Sequence, residues 1–154
     1  MTDISPVLVE LTVACSVDHA FRTWTERAST WWPTDHTVSG AEGLEIVFEG
    51  HAGGRIYERA PDGCEHDWGR IVAWEPPSRL GYHWHLGGGA DDATEVEVTF
   101  DPAGADGDAT RVRIEHRGWE RFGADADARR QRNHRGWTDV LPAYATAVTS
   151  SRRS

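Results

Sequence analysis

The sequence predicts an α+β fold in which one antiparallel sheet has its helices on a single face. Short segments that alternate apolar and polar residues occur about seven times, and this period of two is typical of strands. Residues 125–150 instead repeat apolar side chains at helical spacing. The order of one strand, a helical segment, about six strands and a long terminal helix favours a sheet that the last helix covers.

The first elements have clear boundaries in the sequence. Residues Val7 to Val13 alternate and predict a strand, and Ser16 or Asp18 can cap the helix that follows. Apolar residues continue at helical spacing to Ala28, and the run STWWP at 29–33 ends or restarts this helix. Later strands are predicted at 44–48, 55–59, 96–100 and 110–116, whereas residues 34–43 and 87–92 predict loops.

Residues 68–85, WGRIVAWEPPSRLGYHWH, predict a long β-hairpin. Pro76 and Pro77 have no N–H groups for a sheet ladder, so they mark the connection between the two strands. If both strands are regularly extended, one face of the hairpin collects Arg70, Val72, Trp74, Leu80, Tyr82 and Trp84. We expect the terminal helix to cover this tryptophan-rich face.

The composition is that of one acidic domain, residues 1–154. The net charge is −9, from 16 basic and 25 acidic residues, which argues against nucleic acid or an anionic membrane as a partner. The chain has no lysine, which excludes Schiff-base chemistry and a Walker-type phosphate loop. It has neither an apolar run of transmembrane length nor the pattern of a secretory signal at its start, so we expect a cytoplasmic protein.

Four segments carry a resemblance to a known superfamily. They are GGRIYERAPDG at 53–63, the hairpin at 68–85, EVEVTFDPAGADGDATRVRIEHRGW at 95–119 and GWTDVL at 136–141. In this order they resemble the SRPBCC, or START-like, superfamily, and within it the branch named after the activator of a heat-shock chaperone's ATPase. The resemblance covers residues 6–149.

The resemblance implies a helix-grip fold. In this fold a curved antiparallel β-sheet wraps around a long C-terminal helix, and two short helices after the first strand close one end. An elongated cavity usually separates helix and sheet. Members of the superfamily bind lipids, sterols, aromatic polyketides or plant hormones, and a few catalyse cyclisation or aromatisation, so fold alone leaves the function open.

The candidate cavity residues are side chains that the predicted pattern turns toward the interior. They are Phe48, Glu58, Arg70, Trp74, Tyr82, Trp84, Phe100, Ile114, His116, His134, Trp137, Leu141 and Tyr144. The aromatic members either pack a closed core or line a cavity for an apolar or aromatic ligand. Glu58 and Arg70 can form a structural ion pair, whereas Arg70, His116 or His134 can instead bind the polar end of a ligand or act as acid or base.

Metal and cofactor signals are weak. His83 and His85 place two imidazoles on one face of a strand, but they lack a defined third ligand, and His66 and Asp67 are the candidates nearby. Neither a Ser/His/Asp order nor a Gly-rich phosphate loop is present. We therefore expect no metal and no cofactor.

Three functions remain open. The first is binding of a small hydrophobic or aromatic molecule between the terminal helix and the sheet, which we prefer because an inward aromatic face lies under the terminal helix. The second is a chaperone-associated interaction protein, whose outer surface would matter instead of the cavity. The third is a polyketide cyclase or aromatase that uses Arg70, His116 or His134 as acid, base or oxyanion donor. The oligomeric state is not predicted.

Overall fold

Seven strands form one curved antiparallel sheet in a computed structural model, which describes residues 5–85 and 93–152. The strands are β1 (Val7–Val13), β2 (Glu45–Phe48), β3 (Arg55–Arg59), β4 (Glu65–Glu75), β5 (Arg79–Trp84), β6 (Thr94–Ala103) and β7 (Ala109–Arg117). Their order in the sheet is β1-β7-β6-β5-β4-β3-β2, so the first strand pairs with the last. The loop predicted at 87–92 lies outside the described residues.

The helices lie where the periodicity predicted them, with two short 3-10 segments in addition. They are α1 (Val17–Thr25), α2 (Ala28–Trp31) and α3 (Ala126–Arg152), and a short 3-10 turn, Trp119–Asp125, leads into α3. Ser16 caps α1, because its hydroxyl accepts a hydrogen bond from the His19 N–H at 3.2 Å. A second 3-10 turn, Thr34–His36, lies in a segment predicted to be a loop; three residues are too few to leave a periodic signal.

This arrangement confirms the α+β helix-grip prediction. The sheet, the long C-terminal helix and the two short helices after β1 are all present. Among the described residues, no helix is both long and apolar enough to cross a membrane.

Strand β4 corrects the predicted inner face of the hairpin. Its register with β3 shifts between Ile56 and Tyr57, and its register with β5 shifts between Ile71 and Ala73. Each bulge adds one residue and reverses the alternation beyond it. The inward side chains of β4 are therefore Trp68, Ile71 and, half-buried, Trp74. The predictions that Arg70 and Val72 face inward are wrong, since both are exposed.

The core lies between the concave side of the sheet and α3. Trp137, Leu141 and Tyr144 of α3 are buried against the sheet, which confirms that this helix covers the hairpin. The Tyr144 hydroxyl also donates a hydrogen bond to the Ala20 carbonyl at 2.7 Å and so ties α3 to α1. The connection between β4 and β5 contains the Pro76–Pro77 bond, which is cis.

The opposite side of the sheet carries charged residues. The guanidinium of Arg117 pairs with Glu95, Glu97 and Glu115, and Glu97 also pairs with Arg79. Glu97 faces Glu115 directly across the ladder, so Arg117 bridges two carboxylates that would otherwise repel each other. Exposed pairs of this kind contribute little individually, and we assign this face no function.

Candidate functional site

A small cavity lies between α3, β5 and the segment after α2. Its volume is about 50 Å³, and its walls are Trp32, His36, Trp84, Asn133, Gly136, Trp137 and Val140. The tryptophans and Val140 are buried and form the inner side, whereas the other three residues are partly exposed and form the outer side. A cavity that binds benzene has about 150 Å³, so this space holds one or two waters and not an aromatic ring. At this position Trp32, Trp84 and Trp137 occupy much of the space between α3 and β5 that was predicted to hold a ligand.

Three indole rings surround the cavity. The ring centroid of Trp32 lies 5.8 Å from that of Trp84 and 6.4 Å from that of Trp137, and the last two are 6.3 Å apart. Trp84 and Trp137 are inclined by only 32°, whereas Trp32 stands at 83° to Trp137. Two ring faces inclined to each other, with a third ring across one side, give apolar walls of the kind that suit an aromatic ligand.

His36 provides a fixed polar group at the outer side of the cavity. Its backbone N–H donates to the Pro33 carbonyl at 3.0 Å, and its carbonyl accepts from the Trp32 indole N–H at 3.0 Å. Its Nε2 lies 3.8 Å from a carboxylate oxygen of Asp139 on α3, close enough to pair when the imidazole is protonated. An imidazole beside a carboxylate can bind a ligand hydroxyl or accept its proton.

Glu58 fixes the backbone that follows His36. Its carboxylate is fully buried and accepts hydrogen bonds from the Val38 N–H at 2.6 Å, the Ser39 N–H at 2.8 Å and the Trp68 indole at 2.7 Å. Burial alone would raise the pKa of Glu58, but the Ser39 hydroxyl together with these three donors outweighs it and lowers the pKa. The proposed ion pair with Arg70 is wrong, because Arg70 points to solvent and donates to the Gly53 carbonyl at 3.1 Å.

His116 is a structural residue in a hydrogen-bonded chain. Its Nδ1 accepts from the Trp137 indole N–H at 3.0 Å, and because an indole can only donate, the imidazole proton must lie on Nε2. Nε2 then donates to the Thr94 hydroxyl at 2.6 Å, which donates to the Trp84 carbonyl at 3.2 Å. Burial lowers the pKa of His116 to about 3, so the ring is neutral at physiological pH. The chain holds Trp84 and Trp137 in place from behind the cavity.

The predicted site residues are only partly brought together. Trp84 and Trp137 line the cavity, and Trp74 packs half-buried against Phe21, with ring centroids 5.2 Å apart. The other buried members of the predicted set lie elsewhere in the core: Phe48, Glu58, Tyr82, Phe100, Ile114, His116, Leu141 and Tyr144.

His134 is exposed, which corrects its predicted place on the inner face. A helix turns about 100° per residue, so His134 lies about 60° to one side of Trp137, and Asn133 and Val140 lie to the other side. The cavity lies on the side of Asn133 and Val140. Helical spacing predicts which residues lie beside Trp137. It does not predict on which side of Trp137 the cavity lies.

The sequence predictions missed Trp32, His36, Asn133, Gly136 and Val140. Asn133 and Val140 lie four residues before and three residues after Trp137, so helical spacing was a usable signal for these two, whereas Gly136 directly precedes Trp137 and lies about 100° around the helix. Trp32 and His36 come from the segment after α2, where no periodic pattern marks a position. Their contact with α3 spans about a hundred residues of sequence.

The described part of the chain shows no group of three or more His, Cys, Asp or Glu side chains arranged to hold a metal ion. His83, one half of the pair considered from the sequence, is exposed and lies 4.0 Å from Glu95 across the ladder.

Solved structures with the same fold include two with substantial sequence identity. An anthrahydroquino-gamma-pyrone synthase, Txn09, is 36% identical, with 96% of this chain and 99% of that chain covered and a TM-score of 0.63. The self-sacrificing resistance protein CalC from Micromonospora echinospora is 31% identical, with 96% of each chain covered and a TM-score of 0.71. Protein MLL2253 from Mesorhizobium loti, at 21% identity, 94% and 97% coverage and a TM-score of 0.67, supports the fold alone.

No curated protein sequence matches the chain. The family model described as "Activator of Hsp90 ATPase homolog 1-like protein" matches residues 14–147, which include strands β2 to β7 and most of α3 but not β1. Together with the helix-grip architecture and the two relatives above 30% identity, this match shows that the chain belongs to the Activator of Hsp90 ATPase homolog 1-like family, within the SRPBCC superfamily.

Proposed function

We propose that the protein binds a flat polycyclic aromatic molecule between α3 and β5. The observation that carries this proposal is the convergence of three indole rings, Trp32, Trp84 and Trp137, on a cavity with polar groups at its outer side. The rings of the ligand would pack against the indoles, and a hydroxyl substituent would face His36. The relative named as an anthrahydroquino-gamma-pyrone synthase supports this ligand class, since its name describes a fused aromatic compound rich in oxygen.

Binding requires the tryptophans to separate. The cavity of about 50 Å³ is smaller than one benzene ring needs, so a ligand must widen the space between Trp84 and Trp137. Helix α3 can give way here, because Gly136 and Pro142 lie inside it and both residues weaken a helix. We therefore expect ligand binding to move Trp137 relative to Trp84.

A second candidate is a ring-closing enzyme on a polyketide-type substrate. The identity of 36% over nearly the whole of both chains favours it, because that relative is a synthase. In this case His36, beside Asp139, would accept the proton of a ring hydroxyl while its oxygen adds to a C=C bond conjugated with a carbonyl; the C=C π bond breaks as the C–O bond forms, and the proton returns from His36 to the neighbouring carbon. A chaperone partner would use the outer surface and stays a prediction.

Filling the cavity should abolish binding without unfolding the protein. In the variant Gly136→Leu the new side chain points into the cavity, where a Cβ atom would lie 4.0 Å from His36 Cε1. Replacing glycine inside a helix should raise stability by up to about 1 kcal/mol, while affinity for 2-(hydroxymethyl)anthraquinone falls at least about tenfold. Tryptophan fluorescence titration measures the affinity, and urea denaturation measures the stability.

The matched control is Ala128→Leu, which adds the same side chain at an exposed position of α3. This control should bind the anthraquinone like the unmodified protein. If Gly136→Leu also binds with unchanged affinity, the ligand does not occupy this cavity and the proposal is wrong.

A further inference from the structure

Two polar atoms in the core lack a hydrogen-bond partner among the described residues. They are the indole Nε1 of Trp24 and the hydroxyl of Tyr82, and both side chains are 0% exposed. A buried polar group without a partner loses its hydrogen bonds to water and gains nothing in return. Such groups are rare in native proteins and each calls for a physical explanation.

Other buried indole and hydroxyl groups of the core have hydrogen-bond acceptors. Five other tryptophans donate their indole N–H groups to protein acceptors: Trp31, Trp32, Trp68, Trp119 and Trp137. Tyr144, as deeply buried as Tyr82, donates its hydroxyl to the Ala20 carbonyl. The fold therefore satisfies its buried donors elsewhere, and it leaves Trp24 and Tyr82 with no partner beyond a long contact to each other.

The two unsatisfied groups are neighbours. Burial raises the pKa of Tyr82, and a long contact from the Trp24 indole N–H to the Tyr82 hydroxyl oxygen opposes part of that rise, although it does not meet the geometry of a hydrogen bond. Both groups carry a hydrogen that can be donated, and an indole has no acceptor. A single oxygen acceptor placed between them would satisfy both, as in a pair of donors that binds a carbonyl oxygen.

The pair lies one layer of rings behind the cavity. The Tyr82 ring is 5.4 Å from that of Trp84, and the Trp24 ring stacks on that of Trp137 at 6.0 Å with an angle of 27°. Trp84 and Trp137 are two walls of the cavity, with their rings inclined by 32°. A flat ligand that separates these walls would bring its leading edge to Trp24 and Tyr82.

We propose that Trp24 Nε1 and Tyr82 Oη form an inner anchor that donates two hydrogen bonds to a carbonyl oxygen of the bound aromatic molecule. This inference rests on the proposed function and narrows its ligand class. The ligand carries a ketone-type oxygen on the ring edge that enters first, as in a quinone, an anthrone or a pyrone. An aromatic hydrocarbon of the same shape would leave both donors unsatisfied and would bind more weakly.

The variant Tyr82→Phe tests the anchor, because it removes the hydroxyl and keeps the ring. Two neutral probes of matched shape are 2-(hydroxymethyl)anthraquinone and 2-(hydroxymethyl)anthracene, which differ in the ring carbonyls. We expect the variant to bind the anthraquinone about tenfold more weakly and the anthracene with unchanged affinity, by isothermal titration calorimetry. The Tm of the unliganded variant should stay the same or rise, since an unsatisfied hydroxyl has been removed.

Tyr144→Phe is the matched control for stability. It removes a buried hydroxyl that has a partner, so its Tm should fall by about 2–4 °C. If Tyr82→Phe lowers the Tm by as much, its hydroxyl is satisfied in the unliganded protein and the anchor is wrong.

The anchor is also wrong if Tyr82→Phe binds both probes with unchanged affinity or loses affinity for both equally, and in that case the proposed function still stands. If the unmodified protein binds neither probe, the proposed function fails and the anchor fails with it.

Discussion

Replacing His116 with alanine should lower the free energy of unfolding by about 4 kcal/mol, because it removes the centre of a buried hydrogen-bonded chain and leaves a hole. The Trp137 indole would lose its acceptor, and the Thr94 hydroxyl would lose a donor. Urea denaturation measures the loss. His134→Ala is the control with the same substitution at an exposed position of α3, and we expect it to stay within about 0.5 kcal/mol of the unmodified protein. Equal losses in the two variants would contradict the structural role of His116.

The same residue sets a pH dependence whose sign can be worked out. The pKa of His116 falls from its ordinary 6.5 to about 3 on folding, so between these values the unfolded chain binds a proton that the folded chain does not. The contribution of neutral His116 to the free energy of unfolding is complete above pH 6.5. As the pH falls from there toward 3, this free energy decreases by about 1.4 kcal/mol per pH unit. The free energies of unfolding obtained from unfolding curves between pH 7 and 4 should show this slope. In His116→Ala the part of the slope that comes from His116 should be absent. An identical slope in the variant would assign the effect to other groups.

The strands and helices of this fold were predictable, because their signals are local. Alternation along β6 places Val96, Val98 and Phe100 in the core, and helical spacing places Trp137 and Tyr144 there. The two bulges of β4 were not predictable from alternation, since one extra residue changes the phase without changing the composition. This is why Arg70 was placed inside, and why its ion pair with Glu58 was expected.

The site itself was less predictable than the fold. His36 reaches the cavity because a 3-10 turn, the Trp32 indole and the carboxylate of Glu58 together fix the segment after α2. Each of these contacts joins residues whose spacing in the sequence has no characteristic pattern. The unsatisfied pair of Trp24 and Tyr82 is of the same kind, because only the packed core shows which buried donors have no acceptor.

Replacing Glu58 with glutamine should cost about 3 kcal/mol, although the two side chains have nearly the same shape. The Val38 N–H, the Ser39 N–H and the Trp68 indole can only donate, and together they use both oxygens of the carboxylate, beside which the Ser39 hydroxyl also lies. Glutamine keeps one oxygen and turns an NH₂ group, itself a donor, toward another N–H group. At least one buried donor must then lose its partner, which separates the segment after His36 from β3.

Amide hydrogen exchange locates this effect, and urea denaturation measures its size. In Glu58→Gln we expect the Val38 and Ser39 amides to exchange faster, because the carboxylate that accepts from both is gone. The control is Glu97→Gln, which removes a carboxylate paired with Arg79 and Arg117 on the outer face and should cost less than about 1 kcal/mol. Because folding lowers the pKa of Glu58, the ionised carboxylate stabilises the folded protein at pH values above its ordinary pKa. This stabilisation is lost in acid as the folded carboxylate becomes protonated. If both variants lose the same small amount, Glu58 does not fix the segment that carries His36, and the position of His36 at the cavity must depend on its contacts with Trp32 and Asp139.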